Sequence, residues 1–251
     1  MHKKLIDITK VLKLGANRLR FNMPVACVYN PLDYAWKSHE AYLRKFGDRE
    51  GRVLLIGMNP GPWGMAQTGI PFGEVTGVRN FLGIEEAVEK PSSEHPKRPI
   101  LGFECPRSEV SGRRVWEWAK ERYGTAESFF NEYFLLNYCP LCFMEESGKN
   151  RTPDKLPIEE REHVFDVCDA ALQSFVDVLK PSKIIGIGGF AKKQAMKSLS
   201  RTDVETILHP SPASPIANRG WAPQIEVIEL QYLPSQTLLL VLPLVCQNWQ
   251  F

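Results

Sequence analysis

The chain has almost no excess of charge of either sign. Its 31 Lys and Arg face 29 Asp and Glu, a net charge of +2 over 251 residues. Composition therefore announces no nucleic-acid partner, and any basic surface must be local. A secretory signal is lacking too, because Met1-His-Lys-Lys-Leu-Ile-Asp-Ile8 has no long apolar core after its positive charges. Without export the six cysteines are expected to be reduced. The sequence thus predicts an intracellular protein, cytoplasmic in a bacterium and nuclear in a eukaryote. The most apolar run, Thr237–Cys246, is broken by Pro243 and is far too short to span a bilayer. No membrane partner is expected.

Several chemistries are missing as well. Cys139-Pro-Leu-Cys142 has metal-ligand spacing, but no second pair repeats it, and a cluster would need the scattered Cys27 and Cys105. Neither a metal nor a cofactor is expected. Gly-x-Ser-x-Gly is absent, as is any Ser-His-Asp order or any His/Asp/Glu cluster with metal spacing. No internal repeat appears. The composition, 43% hydrophobic and 24% charged, is that of an ordinary globular protein, read here as one domain over 1–251 and a monomer. The tail 222–251 is unusually apolar for its place.

What is present is concentrated in Gly57–Glu74. Arg52-Val-Leu-Leu-Ile56 reads as a buried strand and runs into a loop with five glycines and three prolines in eighteen positions. Such a loop is stiff and has little side-chain bulk, which suits a surface lying against a flat ligand. Asn59 sits just past the strand end, and Phe72 sits where the loop turns toward a helix.

Along the rest of the chain, Leu5–Leu14 predicts a helix, and Asn22–Tyr29 a loop or short extended segment. Asn30-Pro31 predicts a capped helix start that ends near Gly47. Val75–Leu82 reads as a helix and Pro91–Pro106 as a loop. Ser111 is placed to cap a helix reaching Tyr123. Strands follow at Tyr133–Leu136, Lys183–Ile187 and Val204–Leu208. Between them lie a polar loop, Met144–Pro157, and helices over Ile158–Leu179 and Gly189–Leu199. Alternating strands and helices predict an α/β fold, a three-layer sandwich around a mainly parallel four-stranded sheet. Asn59, Asn137, Gly188 and His209 then all fall at carboxyl ends of strands, the edge where open α/β sheets bind ligands.

These residues include no nucleophile. Asparagine offers a donor and an acceptor and can read a planar ring. Phe72 can stack on that ring, His209 can donate to charge developing on a leaving group, and Asn59 can orient a water. N-glycosidic hydrolysis needs such a set. Taken singly, each residue is more often structural; gathered on one sheet edge, they indicate a site.

Gly57–Val75 and His209–Trp221 resemble the two signature motifs of the single-strand-selective monofunctional uracil-DNA glycosylases, and Asn137-Tyr-Cys-Pro-Leu141 resembles the third. The similarity runs from Val25 to Trp221. The resemblance implies the uracil-DNA glycosylase fold and uracil-containing single- and double-stranded DNA as partner. It implies that Asn59 positions the hydrolytic water and His209 stabilises the uracil anion. Asn137 would read the pyrimidine edge and Phe72 stack on it. Gly61 and Met65 would shape the pocket at C5, with Gly57 and Met58 beside them. Oxidised 5-substituted uracils come with the family as substrates. Other uracil glycosylase families place an aspartate where Asn59 stands.

DNA contacts are expected from the stiff loop Ser211, Pro212, Ala213, Ser214, Asn218 and Arg219. Further candidates are Lys149 and Arg151, and the turn Gly188-Gly189 with Lys192. Vertebrate members carry arginine where this chain has Ala213. The turn Gly186-Ile-Gly-Gly-Phe-Ala191 also fits a loose dinucleotide fingerprint, but too little chain follows it to complete such a fold. A non-catalytic binder of damaged or single-stranded DNA is the other alternative.

Overall fold

The computed structural model describes residues 1–223 and residue 225. The apolar run Thr237–Cys246 lies outside the described residues. Seven strands are found among them: β1 Val25–Tyr29, β2 Val53–Gly57, β3 Tyr133–Asn137, β4 Cys142–Glu145, β5 Asn150–Arg151, β6 Lys183–Ile187 and β7 Glu205–Ile207. Four of them form a parallel sheet in the order β3-β2-β6-β7. Val-Leu-Leu-Ile of β2 and Ile-Ile-Gly-Ile of β6 are continuous apolar runs because helices cover both faces of the sheet.

On one face, Ile56 and Leu136 meet Leu12 of helix His2–Arg18 and Ala171, Leu172 and Phe175 of helix Ile158–Leu179. On the other, Tyr133 stacks on Phe129 of helix Ala126–Glu132 at 5.2 Å. It also meets Trp118 of helix Val110–Tyr123 edge-on at 5.9 Å. Helix Gly189–Leu199 descends so closely on β6 that a side chain at Gly186 would strike the Lys192 backbone. The result is a mixed α/β fold around a four-stranded parallel sheet.

The register fixes the site. Gly57 pairs with Asn137, so β2 and β3 end level, and β6 and β7 end beside them at Ile187 and Ile207. The loops after β2 and β3, Gly188 and His209 therefore share one edge.

Three expectations need correction. Met144–Pro157 is not simply a loop: β4 and β5 pair antiparallel across a turn in which Gly148 has φ +81°. With β1 they form a second, three-stranded sheet. Cys142-Phe-Met is buried throughout and so carries no alternation to reveal it. Ser111 does not cap its helix, which begins one residue earlier with Glu109 at the cap position. The helix after Phe72 is a single turn, Val75–Gly77, continuing into a π-helical turn, Val78–Leu82. Helix Ala126–Glu132, capped by Thr125 on the Ser128 amide, is an addition.

Candidate active site

The loop after β2 is knitted into place by side chains from far along the chain. The Tyr34 hydroxyl donates to the Ala66 carbonyl at 2.5 Å, and His39 Nδ1 meets the Gly69 carbonyl at 2.7 Å. Gln67 donates to Pro62 and Pro99 carbonyls at 2.8 and 3.1 Å and accepts from the Leu101 amide at 2.8 Å. Trp116 Nε1 donates to the Phe72 carbonyl at 2.8 Å. Those bonds hold Phe72 at φ +53°, in the left-handed region that a bulky residue enters only when its surroundings force it.

Phe72 is thereby turned into a cavity of about 590 Å³ that is also lined by Met58, Asn59, Gly61, Met65, Asn137 and His209. The rings of Phe72 and His209 stand 6.2 Å apart at 39°. Gly57 lies beneath them rather than on the lining. A side chain there would come within 2.5 Å of the Phe72 ring and would also strike the Asn137 amide oxygen.

Hydrogen bonding separates the two amides. Asn59 Nδ2 donates to the Leu141 carbonyl at 3.1 Å, which fixes the side chain and leaves its oxygen for a donor from the cavity. Among the described residues, Asn137 Nδ2 reaches only the Met65 thioether, at 3.2 Å. Sulfur is a weak acceptor, so the amide keeps most of its capacity for a ligand. Burial pushes His209 down to about 4, and its imidazole is therefore neutral at physiological pH.

Ser211, Pro212 and Ser214 also line the cavity, and Ala213 is exposed beside them. Ser214 caps the short helix Pro215–Arg219 through the Ala217 amide. Asn218 is tied inward, donating to the Pro212 carbonyl at 2.8 Å and accepting from Arg114 at 2.8 Å. Arg151 pairs with Glu145 at 3.0 Å, while Lys149 and Arg219 are exposed. Gly188, at φ +92°, turns the chain beneath His209, and Gly189 opens the helix that carries the half-buried Lys192. Lys149, Arg151, Gly188, Gly189, Lys192 and Arg219 are not part of the cavity lining.

Sequence reasoning missed three residues. Asn150 lines the cavity and donates to the Pro60 carbonyl at 3.1 Å. Arg114 clamps the loop after His209 by donating to the Pro210 and Ser211 carbonyls at 3.1 and 3.3 Å. Glu109 accepts from the Trp63 amide at 3.3 Å and lies against Gly61 and Gly64. The sequence reading placed the helix cap at Ser111, so neither Glu109 nor the loop that closes over it was visible.

Arg114 lends itself to a direct test. Arg114→Met keeps the stem but removes three hydrogen bonds, and should loosen the loop by about 1–3 kcal/mol. Amide hydrogen exchange in 211–218 should accelerate accordingly; unchanged protection would show that the clamp is idle.

Residue 109 as a whole is half-buried, but its carboxylate is enclosed, and the carboxylate's own surroundings set its ionisation. Burial raises it to about 7, against the pull of the Trp63 and Gly64 amides. The unfolded chain loses this proton near its ordinary 4.5, before the folded protein does. Stability is therefore complete below pH 4.5 and falls as pH rises toward 7, by up to about 3 kcal/mol. Glu109→Gln should raise the melting temperature at pH 8 and leave it unchanged at pH 4.5. An equal change at both pH values would refute the assignment.

Comparison with known proteins places the chain in a family. Residues 44–225 match the model of the uracil DNA glycosylase superfamily. The single-strand selective monofunctional uracil-DNA glycosylase of Rattus norvegicus is 47% identical over 90% of this chain and 84% of its own length. That of Bos taurus is 48% identical over 81% and 76%. The chain belongs to this family. The crystal structure of wild-type SMUG2 from Pedobacter heparinus superposes with a TM-score of 0.64, covering 88% of this chain and 94% of that one. At 18% identity it speaks for the fold alone. Among the described residues of this family member no group of His, Cys, Asp or Glu is placed to hold a metal, and no helix is long and apolar enough to cross a membrane. Cys139 and Cys142 are buried and free.

Proposed function

We propose that this enzyme is a monofunctional uracil-DNA glycosylase that hydrolyses the N-glycosidic bond of uracil and of 5-substituted uracils, leaving an abasic site. Family membership supports the uracil-DNA glycosylase activity. The observation that carries the residue roles is the convergence of Asn59, Phe72, Asn137 and His209 on one cavity. A uracil stacked on Phe72 would present its O4 and N3–H edge to Asn137, where donor and acceptor find their complements. Asn59, fixed by Leu141, would hold a water against the anomeric carbon through its amide oxygen. His209 would donate to the base as it leaves with negative charge. Among the described residues no lysine lines the cavity, and abasic-site cleavage through a Schiff base is not part of the reading.

Single strands are the favoured substrate, with uracil in duplexes accepted more slowly. Ala213 is too small to fill the gap that an extruded base leaves, so the enzyme depends on bases that leave the stack readily. An oligonucleotide carrying uracil or 5-hydroxymethyluracil, presented single-stranded and paired and then treated with alkali, tests the reading. Strand breaks should form fastest on the single-stranded uracil substrate and be insensitive to EDTA. No breaks on any substrate would overturn it. A non-catalytic binder would bind such strands and leave them intact.

A further inference from the structure

Trp63 stands in the cavity wall, and two guanidiniums lie over its ring. Arg107 Cζ is 4.7 Å and Arg98 Cζ 5.1 Å from the ring centroid. Among the described residues neither arginine has a carboxylate partner, and neither is among those with further unprinted interactions. In a chain with 29 acidic residues, two adjacent unpaired arginines beside a cavity need an account. Arg98 is anchored through Nη1 on the Lys97 carbonyl at 2.8 Å, while its Nε is buried without a partner. The turn around Gly148 abuts it, at 3.5 Å from Arg98 Cζ and 3.3 Å from Lys97 Cβ for a side chain built on Gly148, and Lys97 and Lys149 are both exposed.

The physics favours a polyanion with flat groups. An indole face holds guanidiniums by their charge and leaves their donor edges free. Guanidinium is weakly hydrated, and its donors match phosphate oxygens in pairs. Cations interleaved with an aromatic make the kind of surface that tracks single-stranded nucleic acid, with bases stacking on aromatic or guanidinium planes. Continuity with the cavity supplies the direction: Trp63 and Ser108, the neighbour of Arg107, both belong to its wall.

We propose that Trp63, Arg98 and Arg107 form a strand-binding platform that grips two backbone phosphates of the single strand flanking the extruded nucleotide. It rests on the reading of the cavity as a base pocket. The platform is separate in sequence from the Pro210–Arg219 loop: one draws on residues 63–107, the other on residues after β7. An enzyme with a weak wedge gains its hold on DNA from such a grip, and gains it without needing a second strand.

Salt dependence of binding decides the matter. Anisotropy titrations would use a labelled single strand bearing a stable abasic-site analogue, from low to physiological salt. Each phosphate contact contributes a slope of about 0.7 in log K against log salt for single strands. Arg98→Gln with Arg107→Gln should lower that slope by about 1.4 and weaken low-salt binding at least tenfold. Arg98→Lys with Arg107→Lys should keep most of the slope. Arg107→Gln alone, at an exposed side chain, should lower it by about 0.7 and serves if the double variant folds poorly. A slope equal to the parent's in the Gln variants would overturn the platform. Uracil release by the parent, measured on a matching uracil strand, is read separately: its absence would overturn the glycosylase reading and with it the base pocket.

Discussion

Replacing His209 with alanine should slow single-turnover uracil excision by 10²–10³, about 3–4 kcal/mol of barrier, the usual loss for one preorganised donor to developing charge. The effect should fall on the chemical step rather than on binding, because uracil carries the negative charge only as it departs. Burial holds His209 near 4 and keeps it neutral, which suits the proposed role. A neutral imidazole donates without having to give up a proton, and no carboxylate among the described residues draws its donor away. The ratio of parent to His209→Ala rates should therefore stay flat from pH 5.5 to 9. A break in that ratio near 6.5, the ordinary histidine value, would show a protonated donor instead. Asn59→Ala should cost a similar factor by releasing the water; near-normal rates in both variants would remove these residues from the mechanism.

Much of this site could be read from the chain before any coordinates. β2, β3 and β6 are short, mainly apolar runs bounded by turn or polar residues, so strand ends and the residues just past them were placed to within a position. Once those ends share an edge, Asn59, Asn137 and His209 must meet. Phe72 was legible for a different reason: the motif around it matched as a block. The positive φ that aims its ring was not legible, because the Trp116 and Gly112 neighbours that hold it there come from a helix forty residues away. Glu109, Arg114 and Asn150 were hidden for the same reason. Each acts across the fold on a loop it does not adjoin in sequence, and polar residues in a helix start or a hairpin usually face solvent. β4 and β5 escaped because a strand pair in a small antiparallel sheet needs a partner, β1, that lies over a hundred residues upstream. The arginines over Trp63 are separated from it by 35 and 44 positions, and no local pattern joins them.

Asn137→Asp should be the most severe of the single-residue changes at the pocket. The substitution is nearly isosteric, so the fold and the packing on Gly57 and Phe72 should survive it. What changes is the pattern of donors. The Asn137 amide offers one donor and one acceptor, the complement of uracil's O4 and N3–H. A carboxylate offers two acceptors, so one uracil bond is lost and O4 meets a like partner. The carboxylate would also sit half-buried beside a base that leaves as an anion, opposing the charge that His209 is proposed to stabilise. A pocket that hydrogen-bonds its ligand rejects a mismatched edge by roughly 10⁴–10⁵ when buried groups are left unpaired. Uracil excision by Asn137→Asp should drop by at least about 10³ on that scale. Cytosine presents a donor amine at the corresponding edge position, so whatever activity remains should shift toward cytosine-containing strands. The measurement is kcat/KM on single strands containing uracil or cytosine, with melting curves to show that the variant is folded. Uracil excision within tenfold of the parent would mean that Asn137 does not read the base, and that its loose contact with Met65 is its whole role.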